Sequence, residues 1–324
     1  MNVIYLTSDL ASAHTAKRVK WFELNDFRCE LLGSANKSNI DVFMKRDVFF
    51  FQSGFKGYLN RVIFAFFLVL KERKKLGNSV LIVRGFEYVF FLWLFRIHFF
   101  KEITDIPPSF FKYKPLLYFY KSILSNRMVF LTSGGYNEIL NLSKKNVFIW
   151  HNNPVIKQNK EITNRLNKKI LYAGYLRGLN ELTEKLGSHE IDLWGKLNIL
   201  TQNYNSAFVS LNYKGTYLFE ELSDLYGQYQ FSYVSDFYDE NSNYNLTNRL
   251  YESILNYCIP IEVNHNFQKR FLDKVGISYL NSSNMINLFD RNTYIENSQK
   301  NFILITKEIQ NSDKKIVDVL RKKH

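Results

Sequence analysis

The sequence predicts an α/β protein with two doubly wound, Rossmann-like domains, each built on a parallel sheet. Short apolar runs alternate with helix-length segments along the chain, which is the pattern of successive βα units. The alternation is interrupted once, at residues 151–154 and the polar, charged stretch that follows to residue 167. It then resumes, and 324 residues are enough for two domains of ordinary size. We therefore place a domain boundary between residues 153 and 154.

The first domain, residues 1–153, alternates strands and helices from its first residues. Its strands are predicted at residues 2–7, 27–32, 79–83, 99–103, 128–131 and 147–150. Its helices are predicted at residues 15–25, 57–75, 86–95, 115–125 and 135–142. Such an alternation implies a parallel sheet covered by helices on both faces.

The second domain, residues 154–324, repeats the arrangement. Its strands are predicted at residues 169–173, 191–194, 207–211, 230–234 and 259–263. Its helices are predicted up to residue 186, at 217–227, around Glu252, at 267–275 and at 294–310. The closing helix is a candidate for packing back on the first domain. Ligands of open parallel sheets bind beyond the carboxyl ends of the strands, so two such domains predict an interdomain cleft.

Composition narrows the class of protein further. Apolar residues make up 46% of the chain, which excludes a disordered protein. The two cysteines, Cys29 and Cys258, form no metal-binding motif and fit a reducing compartment. The N-terminal segment MNVIYLTSDL has the pattern of a strand and lacks the basic start of a signal peptide, so we expect a cytoplasmic protein.

Charge is distributed unevenly between the two domains. Residues 1–153 carry 22 Lys and Arg against 11 Asp and Glu, a net charge of +11. Residues 154–324 carry 21 against 19, a net charge of +2. A basic first half beside a nearly neutral second half predicts a polyanionic partner for the first domain alone.

Two stretches of the first domain, residues 62–70 and 86–100, are unusually rich in aromatic and aliphatic residues. Neither reaches the roughly 20 apolar residues that span a bilayer. Buried helices would explain them, and so would helices that lie partly in a membrane interface. The second interpretation uses the cations at their flanks, which are Arg61, Lys71, Arg73, Lys74, Lys75, Arg96 and Lys101.

The stretch NLTNRLYESILNYCIPIEV, residues 245–263, carries the clearest candidate ligand site. Asn248 and Arg249 precede Glu252 by four and three residues, which places all three on roughly one helix face. An amide, a cation and a carboxylate at a helix N-terminus suit a phosphorylated, hydroxyl-rich ligand. The alternative is a surface helix terminus with a solvated ion pair.

This segment resembles the donor-binding helix of GT-B glycosyltransferases, particularly the retaining family 4 group. The matching residues are Arg249, Leu250 and Glu252, followed by Ile259, Pro260 and Ile261. Many members carry another glutamate eight residues before the one that matches Glu252, and Tyr244 occupies that position here. The ribose-binding part of the motif is therefore present, and the part that contacts the sugar is absent.

A second match, Tyr172 to Arg177, resembles the family loop that brings backbone amides and a cation to the donor diphosphate. The resemblance thus implies a donor site formed by Gly174, Tyr175, Arg177, Asn248, Arg249 and Glu252. Arg177 and Arg249 would neutralise the diphosphate without a metal ion.

In the first domain, KEITDIP at residues 101–107 resembles the family's E-I-H-D-x-P loop, with Thr104 in place of the histidine. The resemblance implies catalytic candidates Asp105, His14 and Thr104, and acceptor-side candidates Asp9, Lys17, Arg18 and Ser133. An inverting enzyme would need Asp9, His14 or Asp105 as its base. A basic surface helix with a solvated His14 is the alternative for residues 14–18, and a tight turn is the alternative for Ser133.

The resemblance implies transfer of a sugar from a nucleotide-sugar, bound by the second domain, to a saccharide or lipid-linked saccharide bound by the first. Such reactions serve assembly of surface polysaccharide, capsule or lipopolysaccharide, in the cytoplasm or on the inner face of its membrane. The nucleotide-sugar is a substrate, and no cofactor, metal or nucleic acid is expected. Three alternatives remain: a catalytically silent scaffold of an assembly complex, a GT-B epimerase, and a basic nucleic-acid-binding protein.

Overall fold

A computed structural model describes residues 1–10, 12–36, 49–51, 55–107, 110, 112–152, 167–174, 190–195, 212–218, 221–235, 243–263, 266–281, 286 and 289–322. The chain divides into two compact units. The first comprises Met1–Asn152 and Ser312–His324, and the second comprises Asn153–Asn311.

The first unit is built on a parallel sheet in which seven strands are described. They are β1 (Asn2–Thr7), β2 (Arg28–Asn36), β3 (Phe49–Phe51), β4 (Val80–Val83), β5 (Phe100–Ile103), β6 (Val129–Leu131) and β7 (Val147–Ile149). Their spatial order is β3-β2-β1-β4-β5-β6-β7. The order reverses between β1 and β4, so the connections leave in opposite directions on either side of that point, as in a doubly wound sheet.

Helices cover both faces of this sheet. They are α1 (Ala13–Leu24), α2 (Phe55–Lys71), α3 (Arg73–Gly77), α4 (Phe86–Leu94), α5 (Lys114–Leu124) and α6 (Tyr136–Leu140). The side chains of β5 alternate between the two faces. Glu102 contacts α1, and Lys101 lies 4.5 Å from the ring centre of Phe86 at the start of α4. Helices α1 and α4 therefore lie on opposite faces.

The second unit contains a smaller parallel sheet of five described strands. They are β8 (Asn167–Ala173), β9 (Ile191–Trp194), β10 (Asn212–Gly215), β11 (Tyr229–Tyr233) and β12 (Ile259–Ile261), in the order β10-β9-β8-β11-β12. Its described helices are α7 (Leu222–Gly227), α8 (Asn248–Leu255), α9 (Phe267–Val275) and α10 (Arg291–Arg321). This is again doubly wound, which agrees with the prediction for both domains.

Helix α10 belongs to the second unit up to Asn311 and to the first from Ser312 onwards. Its last turns complete the apolar core of the first unit, where Ile316 and Leu320 are fully buried in a cluster with Phe22 and Trp150. The hydroxyl of Ser312 donates a hydrogen bond to a carbonyl of β7, that of Ile149. The last turns of α10 thus pack on the same face of the first sheet as α1.

Most predicted elements agree with the structure, and the differences are local. The helix expected at 57–75 forms two helices, since Glu72 leaves helical geometry between α2 and α3. Strand β3 was not predicted, and α10 is longer than the predicted helix at 294–310. The strand predicted at 207–211 and the helix predicted up to 186 lie outside the described residues. None of the described helices is long and apolar enough to cross a membrane.

The two sheets share one backbone feature, a glycine that lies beside the carboxyl end of the neighbouring strand, within β2 in the first sheet and directly after β9 in the second. Gly33 has φ +144° and Gly195 has φ +143°, a region that other residues rarely adopt. A Cβ on Gly33 would lie 1.8 Å from the carbonyl oxygen of Thr7, and one on Gly195 would lie 1.7 Å from that of Gly174. Only glycine lets the backbone approach the end of the first strand so closely.

We expect Gly33→Ala and Gly195→Ala each to lower the free energy of unfolding by about 3 kcal/mol or more, because they combine backbone strain with a main-chain overlap. Denaturant unfolding of the purified variants measures the effect. Gly77→Ala is the matched control, since a Cβ there meets nothing within 4 Å. Wild-type stability in both variants would contradict the backbone geometry described.

Candidate functional site

A carboxylate buried at the end of β5 organises the carboxyl edge of the first sheet. Glu102 is fully buried, and its two oxygens contact polar atoms of three side chains. The Tyr5 hydroxyl donates to Oε2 at 2.5 Å, Arg18 Nε donates to Oε1 at 2.6 Å, and His14 Nε2 lies 2.8 Å from Oε1. Burial alone would raise the pKa of Glu102, but the charge of Arg18 and the hydrogen bonds from His14 and Tyr5 lower it well below its usual value.

Arg18 lies inside the first unit. Only 2% of it is exposed, and its two terminal nitrogens donate to the carbonyls of Trp150 and His151, each at 2.9 Å. The guanidinium also lies 3.9 Å from the ring centre of Trp150. Lys17 and His14 are 7% and 8% exposed, so residues 14–18 are not a solvated basic surface.

His14 is held as a neutral imidazole. Burial lowers its pKa to about 4, helped by the charges of Arg84 and Arg18, although Glu102 acts in the opposite direction. Because a carboxylate accepts hydrogen bonds, Nε2 carries the hydrogen and Nδ1 keeps a lone pair. Among the described residues, no hydrogen bond is made to Nδ1. The side chain can therefore accept a proton there.

The remaining first-domain candidates lie near this edge of the sheet. Asp9 is half-buried, and its carbonyl accepts the Thr15 hydroxyl at 2.8 Å, which closes the turn into α1. Thr104 is half-buried and Asp105 is exposed, both directly after β5. The carbonyl of Thr104 accepts the hydroxyl of Tyr136 at 2.8 Å.

Ser133 lies in a tight turn. It is fully buried, and its hydroxyl accepts the amide of Gly135 at 3.2 Å. The helix that follows, α6, has only five residues. These contacts give Ser133 a role in shaping the turn.

Lys101 is also internal, and it is not one of the exposed cations flanking the aromatic stretch. Its Nζ donates to the carbonyls of Glu102 at 2.6 Å, Val83 at 3.2 Å and Arg84. Burial lowers the pKa of Lys101 to about 7. The side chain ties the end of β4 to β5 from the face opposite Glu102.

In the second unit, three of the predicted donor residues, Asn248, Arg249 and Glu252, lie in the first two turns of α8. Thr247 caps this helix by accepting the amide of Leu250 at 3.3 Å. In the first two turns, Asn248 is exposed, Arg249 is half-buried and Glu252 is 7% exposed. The alternative of a solvated ion pair does not describe a carboxylate buried to this degree.

Arg249 lies over the carboxyl ends of β8 and β11. Its Nη2 donates to the carbonyl of Ser235 at 2.9 Å, and its guanidinium lies 4.5 Å from the ring centre of Tyr172. Its Cδ would be 3.9 Å from a Cβ on Gly174, so the arginine and this glycine are neighbours. The amide of Gly174 donates to the carbonyl of Trp194 at 2.9 Å, so it is already engaged within the sheet. Tyr175 and Arg177 lie outside the described residues.

A second buried carboxylate, Glu262, was not predicted. Its oxygens accept the Ser235 hydroxyl and the Gln268 amide, both at 2.5 Å. Gln268 also accepts the amide of Thr247 at 2.8 Å, which connects this network to the cap of α8. In the sequence, the available signal for Glu262 was an acidic residue directly after the apolar strand β12.

No group of three or more metal-ligating side chains occurs in the part of the chain that the structure describes.

Comparisons with solved structures relate the whole chain to glycosyltransferases. HepE of Anabaena, solved with UDP and glucose, is 10% identical with a TM-score of 0.70, over 99% of this chain and 100% of that chain. A glycosyltransferase of Rickettsia africae is 10% identical with a TM-score of 0.67, over 99% and 98%. The lipopolysaccharide outer core galactosyltransferase WaaB is 11% identical with a TM-score of 0.56, over 95% and 100%.

The fold is GT-B. The predicted fold class is thereby confirmed. Sequence identities near 10% are too low to show that the chain belongs to the retaining family 4 group. No family model matches the chain, and no curated protein matches it.

We expect the free energy of unfolding to fall as the pH drops from 6.5 to 4, and His14→Gln to reduce this dependence by about 3 kcal/mol. The unfolded chain binds a proton near pH 6.5, whereas folded His14 resists protonation until about pH 4. Stability is therefore lost as the pH falls through this window. Urea unfolding at several pH values gives the measurement. The control is His98→Gln, because His98 is exposed. Parallel curves for wild type and His14→Gln would contradict the burial of a neutral imidazole.

Proposed function

We propose that the chain is a glycosyltransferase that transfers a sugar from a UDP-sugar to a saccharide or lipid-linked saccharide. The observation that carries the proposal is the hydrogen bond between His14 and the buried carboxylate of Glu102 at the carboxyl edge of the first sheet. A histidine oriented by a carboxylate is the arrangement of a general base. Together with the GT-B fold, it favours an enzyme over a silent scaffold.

The donor site is assigned to the start of α8 and the end of β8. Arg249 would offset the charge of the diphosphate, and Glu252 would accept hydrogen bonds from ribose hydroxyls. Asn248 is exposed in the first turn and can donate or accept a further hydrogen bond. The choice of UDP is supported by HepE, which has been solved with UDP and with UDP-glucose.

The proposed reaction inverts the anomeric carbon. The acceptor hydroxyl gives its proton to Nδ1 of His14 while its oxygen forms a bond to that carbon. The bond between the sugar and the diphosphate breaks, and its electron pair leaves with UDP, where Arg249 offsets the added charge. Glu102 stabilises the imidazolium that forms. The replacement of two family 4 sugar contacts by Thr104 and Tyr244 also supports a route other than that family's retaining one.

We assign the acceptor to surface polysaccharide assembly, on the cytoplasmic side of the membrane. The similarity to WaaB and the net charge of the first domain support this assignment. Lys17, Arg18 and Lys101 are buried, which removes three cations that a nucleic-acid-binding surface would use. We propose that catalysis needs neither metal nor cofactor, since arginines provide the charge at the diphosphate.

For the donor site, we expect Glu252→Gln to weaken UDP binding by about 1–3 kcal/mol, since the amide loses the charged acceptor for ribose hydroxyls. Calorimetry with UDP, GDP and CMP measures affinity and base preference together. Glu296→Gln, at an exposed position of α10, is the matched control. Equal UDP affinity in wild type and Glu252→Gln would reject the assignment of Glu252.

For catalysis, we expect His14→Gln to lower kcat about 10²- to 10⁴-fold with little change in UDP affinity. Release of UDP from UDP-sugars, with saccharide and lipid-linked acceptors, gives the rate, and NMR of the product gives its anomeric configuration. Activity should persist in EDTA, and His98→Gln should match wild type. A retained configuration or an unaffected kcat in His14→Gln would exclude the proposed base.

A further inference from the structure

Large hydrophobic side chains are exposed together on one helical face of the first unit. Six of them are Ile63 and Phe67 on α2, Phe90 and Trp93 on α4, and Leu116 and Phe119 on α5, each between 40% and 60% exposed. We call this surface the α2–α4–α5 face. Single exposed hydrophobic residues are ordinary, but a group on three neighbouring helices marks an interaction surface.

Ring contacts join the three helices into a continuous surface. Between α2 and α4, the rings of Phe66 and Phe91 lie 5.4 Å apart. Between α4 and α5, the ring of Phe119 lies 6.1 Å from that of Phe90 and 6.0 Å from that of Trp93. Helix α4 is therefore the middle of the surface, with α2 and α5 on its two sides.

Basic residues accompany these aromatic side chains. Residues 57–77, 86–96 and 112–121 contain nine Lys and Arg but only two Glu. Arg73 lies 5.5 Å from the ring centre of Phe95, and Lys121 lies 5.7 Å from that of Tyr118. Exposed aromatic rings beside cations are the combination found where proteins rest on anionic lipid. Charge complementarity therefore favours an anionic membrane over another protein surface.

We propose that the α2–α4–α5 face docks on an anionic membrane, with Phe67, Trp93 and Phe119 inserted among the lipid headgroups. The docking proposal follows from the exposure and charge of these side chains. Only the use of the docked protein to reach a lipid-linked acceptor rests on the proposed function. Docking can therefore be tested without any substrate, and UDP affinity gives a separate measure of the donor site.

Trp93 provides a direct reporter of insertion. The chain has four tryptophans; Trp21 and Trp150 are buried, Trp194 is half-buried, and Trp93 is 43% exposed. Vesicles of phosphatidylcholine with phosphatidylglycerol should shift the emission to shorter wavelength, and brominated lipids should quench it. Both effects should disappear in Trp93→Phe. An emission spectrum that these vesicles leave unchanged would contradict the insertion of Trp93.

Sedimentation with vesicles tests the face as a whole. We expect the protein to pellet with phosphatidylglycerol-containing vesicles, less so at high salt, and weakly with pure phosphatidylcholine. The double variant Phe67→Ser/Phe119→Ser should reduce binding by about tenfold or more. Ile303→Ser is the matched control, because Ile303 is 64% exposed on α10. A melting curve and UDP affinity like those of wild type would show that the double variant is folded.

Three results would overturn the proposal. The first is a failure to bind anionic vesicles at low salt, and the second is equal binding by wild type and the double variant. The third is a dimer in sedimentation velocity that the double variant abolishes, since a second copy of the chain would then cover the face.

Discussion

The buried carboxylate of Glu102 is the interaction on which the first unit depends. A fully buried charge is costly unless it is paired, and this one is paired with side chains from β1 and from α1. Arg18 extends the link to the carbonyls of Trp150 and His151, next to β7. One carboxylate thus fixes how α1 lies across the sheet, and the same contact orients His14. Structure and proposed chemistry share a single constraint.

The second unit uses a comparable device on different residues. Glu262 is also fully buried after a strand of the sheet, and its partners Ser235 and Gln268 are neutral. Ser235 presents its carbonyl to Arg249, so the network fixes the arginine assigned to the diphosphate. Both units therefore place a buried glutamate beneath the residues that we assign to ligands, and hydrogen bonds to these glutamates help to hold those residues in place.

The fold could be predicted because it follows from local patterns. Strands at 2–7 and 191–194 and the helix at 267–275 have the predicted bounds, since short apolar runs and helical spacing are visible in neighbouring residues. The site was harder to predict because its contacts are distant in sequence. Glu102 meets Tyr5 across 97 residues and Arg18 across 84. Charged side chains are expected on the surface, so the burial of Arg18 and Lys101 left no local signal.

The path of α10 has a consequence for the order in which the protein is made. Ile316 and Leu320 belong to the same apolar cluster as Val3 and Phe22, more than 290 residues earlier in the chain. A ribosome produces the first residues long before the last, so this core stays open while the whole second unit is being synthesised. Apolar residues of the first unit therefore remain accessible to solvent until α10 has been synthesised, and binding by chaperones would protect them from aggregation. The second unit has no such delay for the core formed by β8, β9, β11 and β12.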